Sequence, residues 1–102
     1  MPELSVSLNK IWIHRTEYLK VVEVREGSRQ KFYSYTYTVK SRMGWLPCVR
    51  WDNYEQQPHV DKYDENGALL EQRPCREKEL AEVVKLVKIF RRNLSAMDIS
   101  QL

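Results

Sequence analysis

An α+β fold, an antiparallel β-meander of about five strands covered by one C-terminal α-helix, is expected from three features of this chain. Segments rich in β-branched and aromatic residues recur from residue 17 to residue 73, with turn-forming pairs between them. One stretch near the C-terminus, residues 77–94, changes to helical spacing. The chain has 102 residues, 42% of them apolar, which is enough for one hydrophobic core, so residues 1–102 are expected to form a single domain.

Taken in order, "SVSL" and "IWIH" around Asn9-Lys10 suggest a first, weaker hairpin. "EYLKVVEVRE" and "RQKFYSYTYTVK" flank Gly27-Ser28, a two-residue hairpin signal. With Glu26 opposite Arg29, Val24 faces Lys31, Val22 faces Tyr33 and Tyr18 faces Tyr37. One face then gathers Tyr18, Val22, Val24, Tyr33, Tyr35, Tyr37 and Val39. The other carries Glu17, Glu23, Thr36 and Thr38, with Leu19, Val21 and Phe32 among them. "SRMG" turns the chain into "WLPCVRWDN", "YEQQ" turns it into "HVDKYD", and Asn66-Gly67 predicts a type I′ turn into "LLEQR", which Pro74 stops. In the last segment Leu80, Val83, Val84, Val87, Phe90 and Leu94 make one apolar stripe for the sheet. Glu77, Glu79 and Glu82 come early in it, and Lys88, Arg91 and Arg92 late, as the helix dipole favours.

Composition narrows the function classes. No apolar run approaches the ~18–20 residues of a membrane span, and "MPELSVSLNK" lacks the layout of a signal peptide, so the expectation is a cytoplasmic protein with no membrane partner. Cys48 and Cys75 are far apart with no CxxC, which fits small buried hydrophobes. Two cysteines and two histidines match no zinc pattern and no Gly-rich phosphate loop is present, so neither a metal nor an organic cofactor is expected. A net charge of +3 is compatible with nucleic-acid binding without announcing it.

The chemistry is concentrated in "VRWDNYEQQPHVDKYD". A four-residue loop at "YEQQ" sets Asp52 opposite His59, Trp51 opposite Val60 and Arg50 opposite Asp61. Trp51 and Val60 then point to the core, and Arg50, Asp52, His59 and Asp61 share the other face. Two cross-strand charge pairs of this kind can serve register alone, at roughly 0.2–1 kcal/mol each. The same geometry suits acid–base work, with His59 as general acid or base, Asp52 orienting it and Arg50 clamping a phosphate. Tyr33, Tyr35 and Tyr37 are either core rings or a base-stacking platform. Register across "SRMG" separates these outcomes. With Lys40 facing Trp45, a regular ladder brings Tyr35 opposite Arg50 and Tyr33 opposite Asp52. A bulge or one more loop residue instead sets Trp51 beside Tyr35 and sends the charges to the opposite face. His14 is a further histidine in a strand, and Lys85, Lys88 and Arg92 form a basic stripe on the outer helix face, either solvated or phosphate-binding.

Residues 49–67, "VRWDNYEQQPHVDKYDENG", resemble small prokaryotic proteins grouped with TumE-like toxins, in which an R-[WY]-D-N strand precedes a histidine-containing strand. The present chain has a single histidine, His59, where such proteins often carry a cluster. The resemblance implies the toxin half of a type II toxin–antitoxin pair with a helix-turn-helix antitoxin as partner. The leading expectation is therefore a TumE-like toxin-type protein acting as a metal-independent ribonuclease. In it His59, Asp52, Arg50 and Tyr35 form the catalytic group, while Lys85, Lys88, Arg92, Tyr33 and Tyr37 contact RNA. The alternative is a non-catalytic module that binds protein or RNA.

Overall fold

The computed structural model describes residues 3–102. Six antiparallel strands follow one another as a meander: β1 (Leu4–His14), β2 (Glu17–Glu26), β3 (Arg29–Ser41), β4 (Gly44–Asp52), β5 (His59–Tyr63) and β6 (Leu69–Pro74). One helix, α1 (Leu80–Phe90), and 3₁₀ segments at Arg91–Ala96 and Ile99–Gln101 complete the chain. The α+β architecture is as expected, with six strands in place of about five. The sixth arises because "SVSLNKIWIH" is one continuous strand rather than a hairpin at Asn9-Lys10; the reversal comes later, at Arg15-Thr16. No helix is long and apolar enough to cross a membrane among the described residues.

Two single-residue bulges decide which side chains share a face. Glu26 faces Arg29 as expected, but Lys31 is surplus in β3, so Val24 pairs with Phe32, Val21 with Tyr35 and Leu19 with Tyr37. The expected grouping of Tyr18, Val22 and Val24 with the tyrosines is thereby corrected. Glu17, Leu19, Val21 and Glu23 stand with Tyr33, Tyr35 and Tyr37, and Tyr18, Val22, Val24 and Phe32 take the opposite face. In β4, Lys40 faces Trp45, but Cys48 is surplus, so Tyr37 pairs with Val49, Tyr35 with Trp51 and Thr36 with Arg50. Further bulges fall at Ile13 and Leu70.

The core lies between one sheet face and the C-terminal segment. Tyr33, Tyr35, Tyr37, Val49, Trp51 and Val60 are buried against Val83, Val87, Leu94, Ile99 and Leu102. The Trp51 indole N–H donates to the Leu102 carbonyl at 3.1 Å, and Tyr33 and Tyr35 stack with centroids 4.9 Å apart. The glutamate side chains that the Lys31 bulge turns inward do not lie bare. Tyr35 donates its hydroxyl to Glu23 at 2.8 Å, and Tyr37 donates to Glu17. Glu17 also accepts from Arg91, and that bond, against the cost of burial, holds its carboxyl below the ordinary range. Among the described residues no buried side-chain nitrogen or oxygen is left without a partner.

The helix is shorter than residues 77–94. A capping box between Glu79 and Glu82 starts it, and Arg91, at φ +48°, ends it. The turn at Asn66-Gly67 is also corrected. Only Gly67 has positive φ (+80°), and Asp64 Oδ1 accepts from the amides of Asn66 and Ala68, so this is an aspartate-capped turn rather than type I′. Cys48 is buried and Cys75 half-buried, both free.

Candidate functional site

The site is built on the β4–β5 hairpin, on the face that the helix leaves open. As the loop count implies, Arg50 pairs with Asp61, Trp51 with Val60 and Asp52 with His59. The connection closes with a 3₁₀ turn, Tyr54–Gln56, in which Glu55 (φ 56°) and Gln56 (φ 61°) are left-handed. Asn53 is buried and its Oδ1 accepts the Tyr33 amide at 2.8 Å, and Asp52 Oδ1 accepts the Tyr54 amide at 3.0 Å. These bonds hold the loop against its unfavourable backbone angles.

The four side chains meet. Asp52 Oδ1 lies 3.1 Å from His59 Nε2, and Asp52 Oδ2 lies 3.2 Å from Arg50 Nε. Asp61 Oδ2 accepts from Arg50 Nη2 at 2.8 Å and from Nε at 3.1 Å, while its Oδ1 accepts from Gln72 Nε2 at 2.7 Å. His59 Nε2 is 3.7 Å from Asp61 Oδ1, and Nδ1–H donates to the Gln57 carbonyl at 3.0 Å. A carbonyl can only accept, so the Gln57 contact places a hydrogen on Nδ1; a carboxylate also only accepts, so the Asp52 contact is a hydrogen bond only when Nε2 carries a hydrogen as well. Both aspartates are buried, whereas Arg50 and His59 are partly open to an external cavity of about 420 Å³ lined also by Phe32, Ser34, Tyr54 and Gln57. Burial disfavours the guanidinium charge of Arg50, but the Asp61 hydrogen bonds and the surrounding negative groups outweigh this and shift it upward. Burial and the two aspartates likewise raise the Tyr63 phenol, with Arg50 opposing.

Asp52, His59 and Asp61 each offer a ligand atom within 4.8 Å of the others. The Arg50 guanidinium bridges the two carboxylates through their Oδ2 atoms, and His59 Nε2 faces their Oδ1 atoms.

The remaining expected site residues lie elsewhere. Tyr35 pairs with Trp51 on the core face and is 1% exposed, so it does not stand beside His59. Tyr33 and Tyr37 are fully buried core rings, not a stacking platform, because the C-terminal segment covers their face; the Cys48 bulge puts the charged residues on the other one. Burial raises all three phenols, which act as hydrogen-bonding core residues. Lys85 and Lys88 are exposed on α1, on the far side of the sheet from His59. Arg92 lies past the helix end, donates to the Lys40 carbonyl at 3.3 Å and sits 3.9 Å from Glu17, so it does not extend a helical stripe. His14 contacts the Thr16 hydroxyl at 3.2 Å, at the β1–β2 turn and several strands away from the charged group.

Gln57 and Gln72 complete the site without having been singled out from the sequence. The pairing of β5 with β6, which sets Gln72 opposite Asp61, was the available signal. Set against known proteins, the chain matches no family model, no curated protein and no solved structure.

Proposed function

We propose that this chain is an RNA-directed, toxin-type protein, with the helix-free face of the sheet turned to RNA and Arg50, Asp52 and His59 at its reactive end. The observation that carries the reading is their convergence: three side chains suited to phosphodiester chemistry border one external cavity. His59 acts as the acid–base group through Nε2, which exchanges its proton with the oxygen that attacks or leaves phosphorus once that oxygen takes the place of Asp52 beside it, while Nδ1–H stays on the Gln57 carbonyl. Asp52 orients the ring through Nε2, and the Arg50 edge not engaged by Asp61 meets the phosphate. The resemblance of residues 49–67 to TumE-like toxins adds support and implies a helix-turn-helix antitoxin as partner. This reading draws its positive charge from Arg50 rather than from a metal ion.

A second reading, a non-catalytic RNA-binding module, is favoured by how fully the network is satisfied: Asp61 already accepts from Arg50 and Gln72, and Asp52 from the Tyr54 amide. Incubating purified protein with a structured RNA transcript separates the two. Under the catalytic reading His59→Gln lowers cleavage by about 10²–10⁴-fold, and Asp52→Asn lowers it too, while both variants still melt cooperatively. Parent-level cleavage by both variants would remove the pair from catalysis. Binding without cleavage by the parent would leave the module.

A further inference from the structure

The pairing of the strands lays the open face out in rows. Lys10 pairs with Lys20, Lys20 with Thr36, and Thr36 with Arg50, so one cross-strand row runs Lys10–Lys20–Thr36–Arg50. The neighbouring row runs Trp12–Tyr18–Thr38. Trp45 of β4 leans over β3 to join it, its ring centroid 5.0 Å from that of Tyr18 and 5.8 Å from that of Trp12. Trp12 and Tyr18 are 5.3 Å apart, and the Lys10 ammonium sits 4.7 Å from the Tyr18 centroid. Trp12 meets Tyr18 and Trp45 edge to face and Tyr18 is tilted against Trp45, at interplanar angles of 51–75°, so no two of these rings stack on each other, and Lys10 takes one Tyr18 face. Trp12 is 56% and Trp45 39% exposed, on a face the helix does not cover.

We infer that Trp12, Tyr18 and Trp45 form a stacking site for the bases of single-stranded nucleic acid, whose phosphates follow the Lys10–Lys20–Arg50 row toward His59. This rests on the RNA-directed reading above and names the part of the surface that holds the strand. Strand spacing puts Lys10 and Arg50 ~14 Å apart and the aromatic row ~7 Å from the basic one, the separation a base and its own phosphate can span. Charge complements the ligand. Lys10, Arg15, Lys20, Lys40 and Arg42 are exposed at this end of β1–β4, whereas Glu17 there is buried on the other face and bound by Arg91. Non-specific single-strand binders combine such a basic track with aromatic platforms. The tyrosines of β3, inward and buried, leave this role to rings on β1, β2 and β4.

The test uses the full chain and a fluorescein-labelled oligouridylate at low salt, followed by anisotropy and tryptophan quenching. The expected result is quenching on binding and a loss of affinity of roughly 5- to 150-fold in Trp12→Leu and in Trp45→Leu, the range that removing one stacked base gives. Lys20→Ala should lower the salt slope by about 0.7, and because Lys20 is exposed this variant stays informative if a tryptophan change harms folding. Lys88→Glu, on the helix side, should leave binding unchanged. Parent-level binding by both tryptophan variants, or by Lys20→Ala where they do not fold, overturns the site. So does failure of the parent to bind, equal affinity for a duplex of the same length, or equal affinity for polyglutamate, which would assign the surface to an acidic protein. Unaltered cleavage by His59→Gln would sink the catalytic reading, while the tryptophan quenching and the Trp12 and Trp45 variants would still report on the stacking site.

Discussion

Asp61 is the most committed side chain of the charged group. It is fully buried and holds the Arg50 guanidinium and the Gln72 amide, with His59 just beyond hydrogen-bond reach. Asp61→Asn keeps the shape but exchanges a charged acceptor for a half-donating amide, and should cost about 1.5–3 kcal/mol, the usual loss for a hydrogen bond to a charged group. Urea melts of the variant check this; a midpoint equal to the parent's would mean that Gln72 and Arg50 re-pair without it. The pairs Arg50–Asp61 and Asp52–His59 were legible in the sequence because nothing interrupts the ladder between "RWD" and "HVD", so counting outward from "YEQQ" places them. The stacking trio was not legible. Trp12, Tyr18 and Trp45 come from three strands, with three reversals of the chain between the first and the last, and their meeting depends on bulges that composition does not announce.

At the level of the elements, the end of α1 and the start of β2 are one feature. Arg91 leaves the helix with positive φ and its guanidinium reaches Glu17, the first residue of β2. Helical spacing of Phe90 and Leu94 suggested a longer helix; Leu94 is buried from a 3₁₀ segment instead, so the apolar spacing was right and the geometry was not. The Glu17 carboxyl lies below its ordinary value near 4.5, chiefly through the Arg91 bond, with burial opposing. The unfolded chain therefore takes up the proton first as pH falls. The stabilisation is complete above about 4.5 and is lost as pH drops through the lower, folded value. Glu17→Gln should be less stable than the parent at neutral pH, and the difference should shrink on the acid side. Thermal midpoints from pH 7 to pH 2.5 test this, and a difference that stays constant over the range would contradict the assignment.

Over the whole molecule, the sheet is only partly backed. Its extents of 46 × 28 × 23 Å reflect a long β1–β2 ribbon in which Leu4, Val6 and Leu8 remain exposed, while α1 and the 3₁₀ segments cover the tyrosine face. Stability is accordingly concentrated around Trp51, fully buried and bonded to the Leu102 carbonyl. Trp51→Ala should cost about 3–5 kcal/mol, as large aromatic truncations in cores do, whereas Phe90→Ala, half-buried at the helix end, should cost less. Denaturant melts of the two variants side by side would decide the order. The α+β class and the order of the segments followed from hydrophobic periodicity. The face assignment did not, because a period-two pattern inverts with every surplus residue.

That same arithmetic gives the Cys48 bulge a consequence for how the chain tolerates lost residues. A ladder counts pairs, and Cys48 belongs to none: Pro47 opposes Thr38 and Val49 opposes Tyr37 on either side of it. Excising Cys48 joins two neighbours that already oppose consecutive residues, so every pair and both faces persist, and the deletion should yield a chain that still melts cooperatively with its charged group in place. Excising Thr36, a paired residue one strand away, forces half of β3 out of phase and should abolish the cooperative transition. Circular dichroism melts of the two single-residue deletions would distinguish a spare link in the chain from a structural one.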